Sequence, residues 1–253
     1  MSSADPGPGT AMPRLSVIVP VRNEAGNIGP LIAEIEKAAA PLGDFEIIYV
    51  DDGSSDATGD ELQRTAKGRP WLRQIRHAQS CGQSGAIRSG VRAARAPLIV
   101  TLDGDGQNDP AFIPAFIAKF EQAGAGCGLV QGQRVGRKDT GFKKFQSRVA
   151  NRVRQAILKD GTRDTGCGFK CFPREVYFAL PYFDALHRFM PALVKREGYT
   201  LAFVDVVDRP RLSGRSNYGF FDRLWIGIVD LAGVRWLIER RKRLPAANEV
   251  KRS

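Results

Sequence analysis

Asp103 and Asp105 stand one residue apart in the run Leu102-Asp103-Gly104-Asp105-Gly106-Gln107. In extended backbone, residues two apart point the same way, so at a strand end both carboxylates can reach one ligand. Like charges held that close raise a pKa, and a divalent cation or a shared proton must reconcile them. Oxygen donors favour magnesium or manganese, which keep open positions for diphosphate oxygens. A calcium-binding EF-hand loop begins in a similar way. Here, however, its sixth position is Asn108 instead of glycine and its twelfth is Pro114 instead of glutamate.

A second acidic pair, Asp51-Asp52, closes the apolar run that starts at Phe45, and Gly53-Ser54-Ser55-Asp56 then opens a helix that Asp56 is expected to cap. Carboxylates at a strand's carboxyl end can accept hydrogen bonds from a base N–H or from ribose hydroxyls, a nucleotide-pocket role, and Glu24 is placed for the same pocket. A third run, Ser80-Cys81-Gly82-Gln83-Ser84-Gly85-Ala86, begins another helix. Gly82 permits close backbone approach there, and a helix N-terminus attracts phosphate. Without Gly-Lys-Ser/Thr it is not a P-loop.

The elements that must position these groups alternate in type. Leu15 to Pro20, Phe45 to Asp52, Leu72 to His77 and Leu98 to Asp103 read as strands, with helical stretches between them. Such alternation predicts an α/β fold with a mostly parallel sheet, helices on both faces, and ligands beyond the carboxyl ends of the strands. Further on, Pro110 to Ala123 reads as helix and Gly128 to Arg134 as a short strand. Phe142 to Leu158 reads as a helix with one apolar and one basic face. Gly166 to Phe172 is expected to be extended, His187 to Glu197 helical, and Leu201 to Asp208 strand-like.

The chain has 253 residues, a net charge of +11 and 43% hydrophobic residues, which predicts one globular core and a negatively charged partner. The basic stretch from Lys143 to Arg154 lacks aromatics interleaved for base stacking, so no nucleic-acid partner is expected. No GxGxxG follows the first strand, which argues against a dehydrogenase. Cys81, Cys127, Cys167 and Cys171 show neither CxxC spacing nor an accompanying histidine, so neither a zinc site nor a redox dithiol is expected. His77 and His187 are expected to be structural.

Four stretches, VIVPVRNE, VDDGSSDAT, GQSGAIRSG and LDGDGQNDP, together with DTGCGFK from Asp164 and RLSGRSNY from Arg211, resemble the family 2 glycosyltransferases. Within that family the likeness is to the dolichyl-phosphate mannose synthase-like group, and it covers Arg14 to Tyr218. The resemblance implies a GT-A fold, a nucleoside-diphosphate sugar donor, Mg2+ or Mn2+, and inversion at the anomeric carbon. It implies that Pro20, Glu24, Asp51 and Asp52 hold the nucleoside, that Asp103, Asp105 and Gln107 serve the metal, and that Arg134 approaches the donor or lipid phosphate. Arg211 matches the basic residue thought to meet phosphate. Ser147 falls in the acceptor helix, where Lys143 replaces an expected arginine, and Asn217 stands where many relatives have lysine.

A polyprenyl phosphate acceptor fits this chemistry, because a phosphate monoester is already ionised and needs cations such as Arg134, Lys143, Lys144 and Arg211 rather than a base. The alternative is a non-processive transfer to a sugar hydroxyl. The Gln-x-x-Arg-Trp of processive synthases is absent, since Ala232 precedes Arg235-Trp236 at the critical place. The expected organisation is a tail over 1–13, a catalytic domain over 14–218, an amphipathic segment over 219–245 and a tail over 246–253. Tryptophans and a trailing basic cluster in 219–245 fit a helix lying in an anionic membrane interface. A cytoplasmic protein attached peripherally to the cytoplasmic face of the membrane is therefore expected.

Overall fold

The computed structural model describes residues 12–135, 152–210 and 220–242, with the side chains of the last stretch described from 226 onward. Lys143, Lys144, Ser147, Arg211, Asn217 and the first part of the expected basic helix lie outside the described residues.

Seven strands form one sheet in the order β3-β2-β1-β4-β6-β5-β7. They are β1 (Leu15–Val21), β2 (Phe45–Asp51), β3 (Leu72–Arg76), β4 (Leu98–Thr101), β5 (Cys127–Arg134), β6 (Lys170–Pro173) and β7 (Thr200–Val206). β1 pairs in parallel with β2 and β4, β2 with β3, and β5 with β7. Only β6 runs against its neighbours β4 and β5. The mostly parallel sheet expected from the alternation is therefore present, with one reversed strand that places the segment before Lys170 next to the end of β4.

Among the described residues the α-helices of this unit are α1 (Ile28–Ala39), α2 (Thr58–Ala66), α3 (Gly82–Ala93), α4 (Ile113–Ala123), α5 (described over 152–158), α6 (Arg174–Ala179) and α7 (Leu186–Arg196). The short α6 was not foreseen from the sequence; one and a half turns give too few residues for a helical period to show. Alternation along the central strands divides the core. Val17, Val19, Ile47 and Tyr49 join α1 and α4 residues such as Ile32, Ile35 and Phe116 in one buried cluster. Ile18 and Val50 face the other way, toward α3. A Cβ on Gly90 of α3 would come within 2.5 Å of Ile18 Cγ2, so glycine there lets the helix lie directly on the sheet.

The chain divides into two compact units, Met1–Asn217 and Tyr218–Ser253. The second contains α8 (Phe220–Glu239). Its polar residues do not gather on one face. Arg235 and Glu239 form an i,i+4 ion pair at 2.5 Å, while Asp230 projects from roughly the opposite side at 100° per residue. A helix is present, but without the single apolar stripe that the sequence reading expected. Among the described residues, no helix is long and apolar enough to cross a membrane.

Candidate active site

β4 ends at Thr101, which pairs with Lys170 of the antiparallel β6. Continuing that register two residues past the strand end brings Gly168 opposite Asp103. The fit is tight: a Cβ on Gly168 would stand under 3.0 Å from Cγ and both oxygens of Asp103. Gln83, from the first turn of α3, donates its side-chain N–H to Asp103 Oδ1 at 2.8 Å. Behind the carboxylate, Asp103 N–H donates to Asn108 Oδ1 at 2.9 Å, and Gln107 N–H donates to Asp105 Oδ1 at 3.1 Å. The acidic turn is thus folded on itself. It also abuts the end of β1, because a Cβ on Gly104 would meet the Pro20 carbonyl oxygen at 3.0 Å.

Burial, with the Asp105 charge adding to it, pushes the Asp103 carboxyl up to about 6, although Lys170 and Arg134 pull in the other direction. Arg134, at the end of β5, grips Asp164 through two hydrogen bonds of 2.5 and 2.9 Å and reaches Asp208 at 3.4 Å. Its guanidinium is thus held between two carboxylates. Lys170 is buried, donates to the Cys167 carbonyl, and is held below the usual lysine range by burial. Among the described residues that act on Asp103 or pair with Arg134, four carboxylates (Asp103, Asp105, Asp164 and Asp208) face two cations (Arg134 and Lys170). With oxygen donors on both aspartates, side by side beyond β4, the residues fit a divalent cation of the magnesium or manganese type. Gln107 lies in the same turn, with its backbone carbonyl accepting from Arg209 N–H at 2.9 Å.

The second acidic pair sits at the end of β2, and its two members have different surroundings. Asp51 is fully buried; Oδ1 accepts from Ser54 N–H at 2.8 Å, and Oδ2 lies 3.4 Å from Arg76 Nε with no hydrogen-bond partner. Asp52 accepts from Cys81 N–H at 2.9 Å, Gly82 N–H at 2.9 Å and Ser80 Oγ at 2.6 Å, and it contacts His77 Nδ1 at 2.8 Å. Burial works to raise this carboxyl, but the bonds from Cys81, Ser80 and His77 outweigh it and hold it at about 2. Asp52 therefore caps α3. Both oxygens of Asp52 are thereby engaged at the start of α3. The amides that would meet an anion already hold a carboxylate.

Glu24 is half-buried and accepts from Asn27 Nδ2 at 2.7 Å. Asp56 accepts from Thr58 N–H at 3.0 Å just ahead of α2, but Ala57 holds the N-cap position without a side-chain cap bond, which corrects the expectation that Asp56 is the cap. Gly53, with φ of 69°, would place a Cβ 2.9 Å from Ser80 N, so only glycine lets the two loops touch. Between them opens a cleft of about 310 Å³ lined by Gly53, Ser54, Arg76, His77 and Ala78.

Both histidines are held by hydrogen-bond partners. His187 Nδ1 lies 2.7 Å from Ser84 Oγ, and burial, helped by Lys170, pushes it down to about 3, so it is neutral at physiological pH. His77 joins Asp52 to Ser89 Oγ, 2.9 Å from its Nε2. The expectation that no histidine accompanies a cysteine is corrected: His77 Nδ1 lies 3.2 Å from Cys81 Sγ. All four cysteines are free, with Cys81 exposed and the other three buried. Sequence reasoning also passed over Gln83, Gly168, Asp164 and Lys170. Gln83 lies inside GQSGAIRSG and the other three inside DTGCGFK, so motif membership was the available signal.

The mostly parallel sheet, with an acidic turn beyond its central strand, agrees with the GT-A fold expected from the sequence. The chain belongs to glycosyltransferase family 2, whose model matches residues 16–179. It is 33% identical over 238 residues to dodecaprenyl-phosphate galacturonate synthase of Rhizobium johnstonii, an alignment that covers 90% of this chain and 68% of that protein. It is also 33% identical over 213 residues to undecaprenyl-phosphate 4-deoxy-4-formamido-L-arabinose transferase of an Enterobacter species, covering 83% of this chain and 64% of the relative. The chain thus spans about two thirds of the length of these curated relatives. Among solved structures, glucosyl-3-phosphoglycerate synthase from Mycobacterium tuberculosis, in complex with Mn2+, uridine diphosphate and phosphoglyceric acid, superposes with a TM-score of 0.66 at 19% identity. That superposition covers 91% of this chain and 80% of the other, and it establishes the shared fold.

Proposed function

We propose that this chain transfers a sugar, with inversion, from a nucleoside-diphosphate sugar to a polyprenyl phosphate, making a lipid-linked sugar for cell-envelope or lipopolysaccharide assembly. The reading is carried by one observation: the curated relatives aligned over most of the chain are polyprenyl-phosphate sugar transferases. The crevice chemistry supports it. We assign Pro20, Glu24 and Asp51 to the nucleoside, with Asp52 and Gly82 joined in the link that fixes α3. Asp103, Asp105 and Gln107 would hold the cation. When bound, Mg2+ or Mn2+ would neutralise charge developing on the departing nucleoside diphosphate. Gln83 and Gly168 orient Asp103, and Asp164 fixes Arg134 beside it. Lys143, Ser147 and Arg211 remain the proposed acceptor-phosphate residues.

The acceptor's ionised phosphate oxygen attacks the anomeric carbon as the bond to the diphosphate breaks, so no side chain must remove a proton. We further assign the protein to the cytoplasmic face of a membrane, with residues 219–245 as the interfacial segment, its exposed Ile226 and Trp236 and its basic cluster standing in for a single apolar stripe. The test is a donor screen with purified protein and polyprenyl phosphate, read by product mass, with the matching prenyl alcohol in parallel. Sugar transfer to the phosphate alone is expected. Equal transfer to the alcohol would overturn the phosphate-acceptor reading.

A further inference from the structure

β2 and β3 run in parallel with Asp51 opposite Arg76, so the next residues, Asp52 and His77, emerge side by side at the edge of the cleft. Cys81, the residue before α3, turns back over them. Three different ligand atoms meet there: Asp52 Oδ1 and His77 Nδ1 at 2.8 Å, Cys81 Sγ and His77 Nδ1 at 3.2 Å, and Cys81 Sγ and Asp52 Oδ1 at 3.3 Å. We propose that Asp52, His77 and Cys81 form a binding site for a thiophilic divalent ion of the zinc class, separate from the cation site at Asp103 and Asp105.

The spacing is close to what such an ion needs. Zinc bonds of the usual lengths in tetrahedral geometry separate N, O and S ligands by about 3.3–3.6 Å, so the Asp52–His77 pair must open by roughly half an ångström and the two sulfur pairs by about 0.3 Å. The supporting contacts are already built. Ser89 Oγ lies 2.9 Å from His77 Nε2, on the far side of the ring, where a ligating histidine needs a partner. Asp52 is steered through its other oxygen by Ser80 Oγ and Gly82 N–H at 2.6 and 2.9 Å. The side chains of Asp52 and His77 are only 7% and 16% exposed, whereas Cys81 is open to solvent, which gives an entry path and leaves a fourth position for water.

Binding is balanced by one proton. The Cys81 thiol proton leaves to solvent as the sulfur–metal bond forms. His77 would give its Nδ1 lone pair to the metal while its Nε2 faces Ser89 Oγ. A thiolate and an imidazole select zinc over magnesium, which prefers oxygen donors, so the two sites divide the available ions by chemistry. His77 also lines the cleft with Gly53 and Ser54, and an ion held there would tie the ends of β2 and β3 to the start of α3.

The test uses the purified chain freed of metal, with Co2+ as the spectroscopic stand-in and Zn2+ as competitor. A thiolate-to-cobalt charge-transfer band is expected at one equivalent. It should be bleached by Zn2+ and unaffected by Mg2+, retained in Asp103→Asn, and lost in Cys81→Ser and His77→Gln. In the folded protein one thiol of four should react with a thiol reagent, and one equivalent of Zn2+ should slow that reaction about tenfold or more by masking the thiolate. Cys81 is exposed, so Cys81→Ser keeps the test decisive if His77→Gln does not fold. A cobalt spectrum without the thiolate band, a band that survives Cys81→Ser, or thiol reactivity unchanged by Zn2+ would overturn the proposal.

Discussion

Replacing Gly168 with alanine adds one carbon where Asp103 already stands. The new Cβ would lie under 3.0 Å from Cγ and both oxygens of Asp103, closer than real Cβ atoms come. Two responses are available. The strand can shift, but Thr101 Oγ1 holds the Gly168 carbonyl at 2.8 Å and β6 is paired on both sides, so overpacking there would cost about 1–3 kcal/mol. Otherwise the carboxylate retreats, and a displacement on the order of 1 Å in a metal ligand lowers turnover roughly a hundredfold. The second response is expected to dominate, because Asp103 is held by the flexible Gln83 side chain on one flank. Gly168→Ala should therefore keep a near-native melting temperature while Mn2+ affinity, read by electron paramagnetic resonance, and sugar transfer both collapse. Gly126→Ala is the control, since a Cβ there meets open space. Transfer and Mn2+ affinity within about threefold of the unmodified protein, a change too small to report a displaced ligand, would refute the placement of Gly168 as the residue that seats Asp103.

Asp103→Ala and Asp105→Ala should each leave the protein folded while turnover falls by several orders of magnitude, because metal charge stabilisation is worth several kcal/mol. Chelation should abolish turnover in the unmodified protein, and full activity in chelator with no residual metal would contradict the cation site. His187 is held at about 3 against an ordinary 6.5, so between those values the unfolded chain binds the extra proton. Folding stability should therefore decline as pH falls from 6.5 toward 3, by up to about 1.4 kcal/mol per pH unit from this group. Denaturant titrations of His187→Gln should show a shallower decline over the same range, and an equal slope would remove His187 as its source. Intact protein should co-sediment with anionic vesicles at low salt, because each basic residue near such a surface adds about 1 kcal/mol. A chain ending at Tyr218 should bind them less, and if both stay in the supernatant the interfacial role of 219–245 fails.

The sequence by itself determined the alternation of strands and helices, because period and length of apolar runs are local properties that the 15–21, 45–51, 72–76 and 98–101 strands satisfy almost to the residue. It also placed the acidic pairs at strand ends, and hence Asp103 and Asp105 beyond the sheet, since residue spacing alone dictates that. It could not decide what each carboxylate does. Asp52 and Asp103 look alike in sequence, each following an apolar strand. One caps a helix that begins thirty residues later; the other faces a glycine brought up by a reversed strand sixty-five residues later. The same holds for Arg134, whose partner Asp164 is thirty residues away, and for His77 and Cys81, four residues apart yet joined only because Asp52 lies beneath both. Tertiary structure decided these because hydrogen bonds and charge pairs form between whichever groups the sheet order makes neighbours. The insertion of the antiparallel β6 between β4 and β5 leaves no mark in any local window of the chain.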